Sequence, residues 1–318
     1  VIGLGYWGKT LLDYFRNTER AEVVAVHDQM AQRSTQIELA GANFYSDLEP
    51  MFDREKLDAV VVATPPAAHL APTLLAAQHG VHVFCEKPIA ATLADGEEMI
   101  QACKQNNVKL MIAFKHRFAR AFSYVKSMNL GRPLWGMYTY PLWKVDDPGW
   151  KIDEKGTRGI IVENMVHAFD AMRFLFCYVA HVYAEGDNYV FTNVAPPDST
   201  ILVMRFTNGA IGAIGGGCTS DQRISREYLD VHFEKGVAQI EGMLDAPYHL
   251  RTLVRDDAAP EEHTFAGSDG VREEIQHFLD CIQTDQKPLS TGEDGRKALE
   301  LALAVIESIR THKVIMLK

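Results

Sequence analysis

Three acid–base side chains recur at helical spacing in the middle of the chain. Glu163, His167 and Asp170 stand at i, i+4 and i+7 within the run Ile160–Phe176. If that run is helical, all three share one face. A carboxylate one turn from an imidazole orients the ring and stabilises its protonated form. That pairing suits abstraction of a hydroxyl proton. A lone histidine on such a helix is more often a satisfied structural residue. Zinc binding is not expected, because the face carries one imidazole and no second one a turn away. A second candidate is Glu86-Lys87-Pro88. Pro88 keeps Lys87 out of the α region, which fixes the direction of its side chain. Alone, such a pair reads as solvated surface.

The chain opens with Gly3-Leu4-Gly5-Tyr6-Trp7-Gly8, a GxGxxG pattern between a strand end and an amphipathic stretch. Its glycines permit a tight turn, close approach of backbone to a pyrophosphate and close helix–strand packing. The following helix N-terminus offers free N–H groups and a positive dipole end to phosphate. Asp28 lies 20 residues after Gly8, at the end of Val23–His27. A carboxylate there accepts hydrogen bonds from ribose hydroxyls and repels a 2′-phosphate. NAD is therefore the expected cofactor; Arg33, close by, keeps NADP as the alternative. Ala63-Thr64-Pro65-Pro66 follows Leu57–Val62, where open α/β sheets bind ligands; it reads equally as an ordinary Pro-rich turn. His69 is either a first-turn helix residue or a site residue. Glu86 and Lys87 follow Val81–Cys85 and so belong to the same crevice. There, like-charge repulsion from a cationic nicotinamide would lower the lysine pKa into the range of an acid/base.

These residues need a scaffold, and the pattern supplies one. Over residues 1 to 118, short β-branched runs (Val23–Val26, Ala59–Ala63, Val81–Cys85, Lys109–Ala113) alternate with helical stretches. Helices are expected at Tyr6–Arg16, Met30–Ala40, His69–His79 and from a Thr92/Asp95 capping box to about Asn107. The alternation predicts a doubly wound parallel sheet, the Rossmann arrangement. From residue 119 to 318 the grammar changes. A strand is expected at Trp135–Trp143, a long helix at Ile160–Phe176, then strand after strand from His181 to Thr264. Asn208-Gly209 marks a hairpin. Helices at Gly270–Gln283 and Asp294–His312 and a strand at Val314–Leu317 complete an α+β domain on a mostly antiparallel sheet. The fold class is α/β with a second α+β domain.

Composition sets limits. The chain has 318 residues, 47% hydrophobic and 23% charged, with a net charge of −10 and a pI near 5.6. That length suits about two domains. An acidic surface without a basic patch argues against nucleic-acid binding. The 5 cysteines are widely spaced with no CxxC pair, which points to reduced thiols in a cytoplasmic protein. No apolar run suggests a membrane span.

Taken together, Gly3–Gly8, Asp28, Ala63–Pro66, Glu86-Lys87-Pro88, Phe114–Phe118, the Glu163/His167/Asp170 segment and the ending Gly292–Leu317 with Ser308 resemble the glucose–fructose oxidoreductase / inositol dehydrogenase / MocA family. The resemblance spans essentially the whole chain. It implies a Rossmann domain, a second domain with a large open sheet used to form homodimers or homotetramers, and NAD(P)-dependent oxidoreduction of a sugar or cyclitol. Lys87 matches the family's active-site lysine and His167 its general acid/base. Glu163 stands where many members carry Asp, and Arg117 falls in a segment that lines the site. Two departures stand out. Thr157-Arg158-Gly159 replaces a common Gly-Gly-Gly run, and Met165 replaces a small residue two before the histidine. Both bear on the substrate pocket.

Candidate substrate contacts are therefore Lys115, Arg117, Trp150, Arg158, Glu163, His167 and Asp170. If Lys115, Arg117, Lys144, Lys151 and Arg158 converge, the small-molecule substrate is anionic: a uronate, aldonate or nucleotide sugar. The alternative is scattered solvated charge. Trp143 and Trp150 would stack on a sugar ring or serve the core. The expected activity is hydride transfer between nicotinamide and a carbinol carbon, with Lys87 and His167 facing that carbon. Competing readings are a non-catalytic NAD-responsive regulator and a lyase or glycosidase that retains its NAD.

Overall fold

The computed structural model describes residues 1–39, 41–142, 159–191, 197–221, 223–243, 246–255, 259–266 and 269–318. The chain forms two compact units, residues 1–113 with 274–296 and residues 114–273 with 297–318. A single cut after residue 118 does not anticipate the return of 274–296 to the first unit. That return rests on long-range packing: Phe278 meets Phe84 edge-on at 5.5 Å, and Ile112 N–H donates to the Ser290 carbonyl at 3.0 Å.

The first unit runs α1 (Tyr6–Arg16), β1 (Ala25–His27), α2 (Arg33–Gln36), β2 (Asn43–Tyr45), α3 (Leu48–Arg54), β3 (Ala59–Val62), α4 (Leu70–Gln78), β4 (His82–Cys85), α5 (Leu93–Gln105) and β5 (Leu110–Ile112). Its strands are parallel: β1 pairs β2, and β4 lies between β3 and β5. Fully buried Ile2 joins the two sets by parallel bridges to His27 and Val62. The central strands are buried almost throughout, as helices on both faces of a parallel sheet require. α1 buries Gly8, Leu11, Leu12 and Phe15, one stripe at i, i+3, i+4, i+7. Thr92 caps α5 by accepting from Asp95 N–H at 3.1 Å. The helix expected over Met30–Ala40 shrinks to the 4 residues of α2. Ser34 and Thr35 hydroxyls bond back to the Ala31 and Gln32 carbonyls, and α2 buries none of its residues, so little holds a longer helix.

The second unit contributes α6 (Arg120–Ser127), β6 (Pro133–Thr139), α7 (Val166–Leu175), β7 (Val179–Asp187), β8 (Ser199–Phe206), β9 (Ile211–Gly217), β10 (Glu227–Phe233), β11 (Gly236–Met243), β12 (Ala246–Val254) and β13 (Glu261–Phe265). The chain continues through α8 (Asp269–Gln283) and α9 (Gly292–Thr311) to β14 (Ile315–Met316). These strands form one 9-stranded sheet in the order β13-β12-β11-β10-β6-β9-β8-β7-β14. All neighbours are antiparallel except β6 and β9. Strict alternation of buried and exposed residues along β8 marks a sheet with one covered face. At the β8–β9 hairpin Gly209 has φ +86°, the left-handed value that the Asn-Gly signal requires. β6 ends at Thr139, short of the expected Trp143. Tyr140 and Leu142 still donate to Gly215 and Gly217 carbonyls, so the chain follows β9 to the last described residue there. No helix among the described residues is long and apolar enough to cross a membrane.

Candidate active site

In the first unit the glycine-rich turn enters α1. Gly3 has φ +88°, and a Cβ there would lie 2.8 Å from the Ala63 carbonyl oxygen. A Cβ on Gly8 would lie 1.9 Å from the Gly3 carbonyl oxygen. Gly5 instead faces open space, where a ligand can approach the backbone. α1 starts on Gly5 with no side-chain cap and no acidic residue in its first turn. Its first-turn N–H groups therefore lack intrahelical partners and sit at the positive end of the helix dipole. This donor set fits a dinucleotide pyrophosphate.

Asp28 leaves the end of β1 and grips the turn. Its Oδ2 accepts from Leu4 N–H at 2.8 Å and its Oδ1 from Met30 N–H at 2.9 Å. Each carboxylate oxygen keeps a lone pair for a ribose hydroxyl. Arg33 Nη1 donates to the Leu4 carbonyl at 3.0 Å, so the guanidinium braces the same turn from the other side. A cleft of about 750 Å³ opens beside Asp28, lined by His27, Gln29, Asp47, Glu49, Ala71 and Leu75 among others. Its described lining has two carboxylates and neither Lys nor Arg.

The segment after β4 is wired to that turn. Trp7 Nε1 donates to Glu86 Oε1, and Glu86 Oε2 accepts from Lys87 N–H at 3.2 Å. Glu86 is buried and Lys87 half-buried. His69, just before α4, is fully buried between two loops: its Nε2 faces the Thr64 carbonyl at 2.8 Å and its Nδ1 the Ile89 carbonyl at 3.1 Å. Burial lowers its pKa, carbonyl contacts raise it in part, and the Lys87 charge lowers it further. His69 thus ties the Thr64-Pro65 loop to the loop carrying Lys87. That placement gives it a bracing role and leaves no ring nitrogen for a ligand.

In the second unit Glu163 and His167 are both 6% exposed. They do not lie on one regular helix. Ile161–Met165 is a π-helical turn, and α7 begins only at Val166. The wider turn changes the angle between residues that a 3.6-residue period would align, and such turns cluster at functional sites. The His167 ring lies edge-on to Phe114, with centroids 6.3 Å apart, and to His116 at 5.5 Å. Arg117 and Asp170 meet each other. Arg117 Nε and Nη2 donate to the two Asp170 oxygens, each at 2.7 Å, and Arg173 Nη1 adds a third contact at 3.4 Å. Asp170 is wholly buried, and the Arg117 guanidinium lies 5.4 Å from the Phe174 ring centroid. A bidentate pair this deep fixes the turn at Lys115–Arg117 against α7. Lys115 is half-buried. Trp150 and Arg158, with Trp143, Lys144 and Lys151, lie outside the described residues.

The sequence reading missed a buried polar cluster around Glu227. Its Oε2 accepts from His116 Nε2 at 2.9 Å, Tyr138 Oη at 2.7 Å and Tyr248 Oη at 3.3 Å. Burial pushes the Glu227 carboxyl up, but the His116 charge and hydrogen bond, then the Tyr138 hydroxyl, hold it below its ordinary value. Tyr138 and Tyr140 are raised well above theirs, chiefly by burial. The one available signal was position: His116 falls within Phe114–Phe118. Glu227 opens a strand and carries no local mark. Among the described residues, no group of three or more His, Cys, Asp or Glu is arranged to hold a metal ion.

Known proteins match along the whole chain. Residues 1–114 fit the family profile described as "Oxidoreductase family, NAD-binding Rossmann fold", and residues 118–239 fit "GFO/IDH/MocA C-terminal domain". D-apiose dehydrogenase of Paraburkholderia graminis is 28% identical, over 100% of this chain and 89% of that protein. Myo-inositol 2-dehydrogenase of Thermotoga maritima is 26% identical, over 100% and 98%. A dehydrogenase from Bordetella pertussis, solved with NADH and UDP-GlcNAcA, superposes with TM-score 0.84 at 24% identity, covering 100% of this chain and 97% of that one.

Proposed function

Because this chain belongs to the GFO/IDH/MocA family of NAD-binding oxidoreductases, we propose that it oxidises a secondary or hemiacetal carbinol, or reduces the matching carbonyl, on a sugar, sugar acid, cyclitol or nucleotide sugar. The observation that carries the reading is the Trp7–Glu86–Lys87 connection, which couples the dinucleotide turn to the candidate catalytic lysine. The two named dehydrogenase relatives act on polyhydroxylated compounds, which supports this substrate class. Gly3–Gly8 and the start of α1 hold the pyrophosphate, and Asp28 the adenosine ribose. With Asp47 and Glu49 in the neighbouring cleft, a 2′-phosphate would meet carboxylates, so NAD is preferred over NADP. When bound, the nicotinamide carries the hydride. Lys87 donates a hydrogen bond to the substrate oxygen, and its charge favours the alkoxide. His167 takes the hydroxyl proton in oxidation and returns it in reduction, with Glu163 orienting the ring. Arg117 and Asp170 act through each other, as positioning residues.

The second unit also carries an assembly surface. Ile201 and Val203 on β8, Ile211 on β9 and Trp135 and Met137 on β6 are exposed on one face. They are neighbours by register: Ile211 opposes Trp135, and Ala213 lies between Val203 and Met137. A contiguous apolar face of this kind is suited to a second copy of the chain. All 5 cysteines are free thiols, in keeping with a cytoplasmic enzyme.

The test is a panel of sugars, sugar acids, cyclitols and nucleotide sugars with NAD and with NADP, read at the NADH absorbance band. On an accepted substrate, Lys87→Met and His167→Asn should each lower kcat by about 10²–10⁴ while NADH affinity stays within about threefold. Unchanged kcat in Lys87→Met refutes the assigned mechanism. Substrate consumed with no net NADH favours an NAD-retaining lyase.

A further inference from the structure

The backbone of Leu4 is held in a closed ring of hydrogen bonds. Leu4 N–H donates to Asp28 Oδ2 at 2.8 Å and Met30 N–H to Asp28 Oδ1 at 2.9 Å. Arg33 N–H donates to the Met30 carbonyl at 2.9 Å, and Arg33 Nη1 returns to the Leu4 carbonyl at 3.0 Å. A carboxylate thus grips the N–H of Leu4 and a guanidinium its carbonyl. The Leu4 side chain is fully buried with Leu12, Val26 and Ile37, which anchors the ring to the core. The Leu4 carbonyl and the Gly5 N–H belong to one planar trans peptide, so they point in opposite directions. A peptide that precedes glycine flips readily, because glycine accepts either sign of φ. Here Gly5 has φ −66°. Its N–H donates to no described residue, and a Cβ on it would meet nothing within 4 Å. Holding the carbonyl on one side therefore aims this N–H at the open side of the turn.

We propose that Arg33 is a positioning residue for the dinucleotide: by holding the Leu4 carbonyl it locks the Leu4–Gly5 peptide with the Gly5 N–H facing the pyrophosphate, and it does not read a 2′-phosphate. The inference rests on the reading of Gly3–Gly8 as the pyrophosphate site. In the flipped peptide the Leu4 carbonyl oxygen would face the phosphates in place of a donor. The Arg33 donor bonded to that carbonyl stands behind the peptide, on the side away from the Gly5 N–H. Its contribution is therefore the same for every ligand that carries the pyrophosphate, with or without a further phosphate on the ribose.

The experiment titrates the full chain, wild type and Arg33→Met, with NADH by fluorescence, and with adenosine by displacement of bound NADH. Arg33→Met should weaken NADH by about three- to tenfold, the worth of one hydrogen bond that no longer selects the binding orientation. Adenosine has no pyrophosphate, so its dissociation constant should stay within about twofold of wild type. The NADH loss should persist at about 0.5 M NaCl, where a charge acting at a distance is screened. NADH affinity unchanged by the substitution overturns the proposal; if NADPH alone weakens, Arg33 is a 2′-phosphate receptor. An NADH loss that vanishes in salt overturns it in favour of plain attraction. An equal loss for adenosine overturns it in favour of a collapsed turn. Thermal melts report folding; should Arg33→Met fail to fold, Arg33→Gln carries the same expectations. Wild type that binds no NADH would refute the reading of the turn itself, and the proposal with it.

Discussion

Replacing Asp170 by Asn should loosen the second unit severely, because the substitution keeps shape and removes only charge. The Arg117 and Asp170 side chains are 6% and 0% exposed and joined by two 2.7 Å bonds, with Arg173 a third member. Breaking a buried pair by neutralising one partner costs about 3–5 kcal/mol, because a desolvated guanidinium loses the carboxylate charge it is bonded to. With a urea m-value of about 2–3 kcal/mol/M for a unit of this size, the midpoint should fall by about 1–2.5 M. Tryptophan fluorescence in urea measures it. The double variant Arg117→Met/Asp170→Asn takes the stranded charge away and leaves Arg173 an amide oxygen. It should recover at least half of the loss, since buried pairs are often replaceable by neutral groups at little cost. In the enzyme, Asp170→Asn should lower kcat more than it raises KM. A midpoint shift below about 0.3 M, or a double variant no better than the single, would refute the argument that the pair exists to brace α7.

Other expectations follow from individual contacts. Gly8→Ala places a Cβ 1.9 Å from the Gly3 oxygen, so NADH affinity should fall by more than about tenfold in a fluorescence titration. Ile201→Lys with Val203→Glu should yield a smaller species by light scattering while NADH binding persists, if the β8 face joins two copies. Of the 5 thiols, burial pushes Cys103 and Cys218 up to about 12 and raises Cys85 and Cys281, so in the native protein at pH 8 a thiol reagent should label only Cys177 quickly. Fast labelling of Cys218 would show that its surroundings open.

What the sequence determined by itself was local. GxGxxG, the Asp28 spacing, the Thr92 cap and the Asn208-Gly209 turn are short-range devices, in which a missing Cβ, a positive φ or a side chain reaching three residues on dictates the geometry. The alternation of apolar runs with helical stretches was enough for a parallel sheet, because solidly apolar strands can only be buried on both faces. The place of Lys87, just past the end of β4, was legible for the same reason, because the run Val81–Cys85 reads as a buried strand. Tertiary structure decided what depends on partners far away along the chain. The insertion of β6 between β9 and β10, the pairing of β14 with β7, the return of 274–296, and the pairing of Arg117 with Asp170 all arise from contacts across 50 or more residues. The π turn at Ile161–Met165 could not be read, because a 3.6-residue period assumes a regular helix. Glu227 is the clearest case. An acidic residue at the start of a strand is unremarkable until the fold buries it, and a buried charge must then find the imidazole and hydroxyls that make it part of a site.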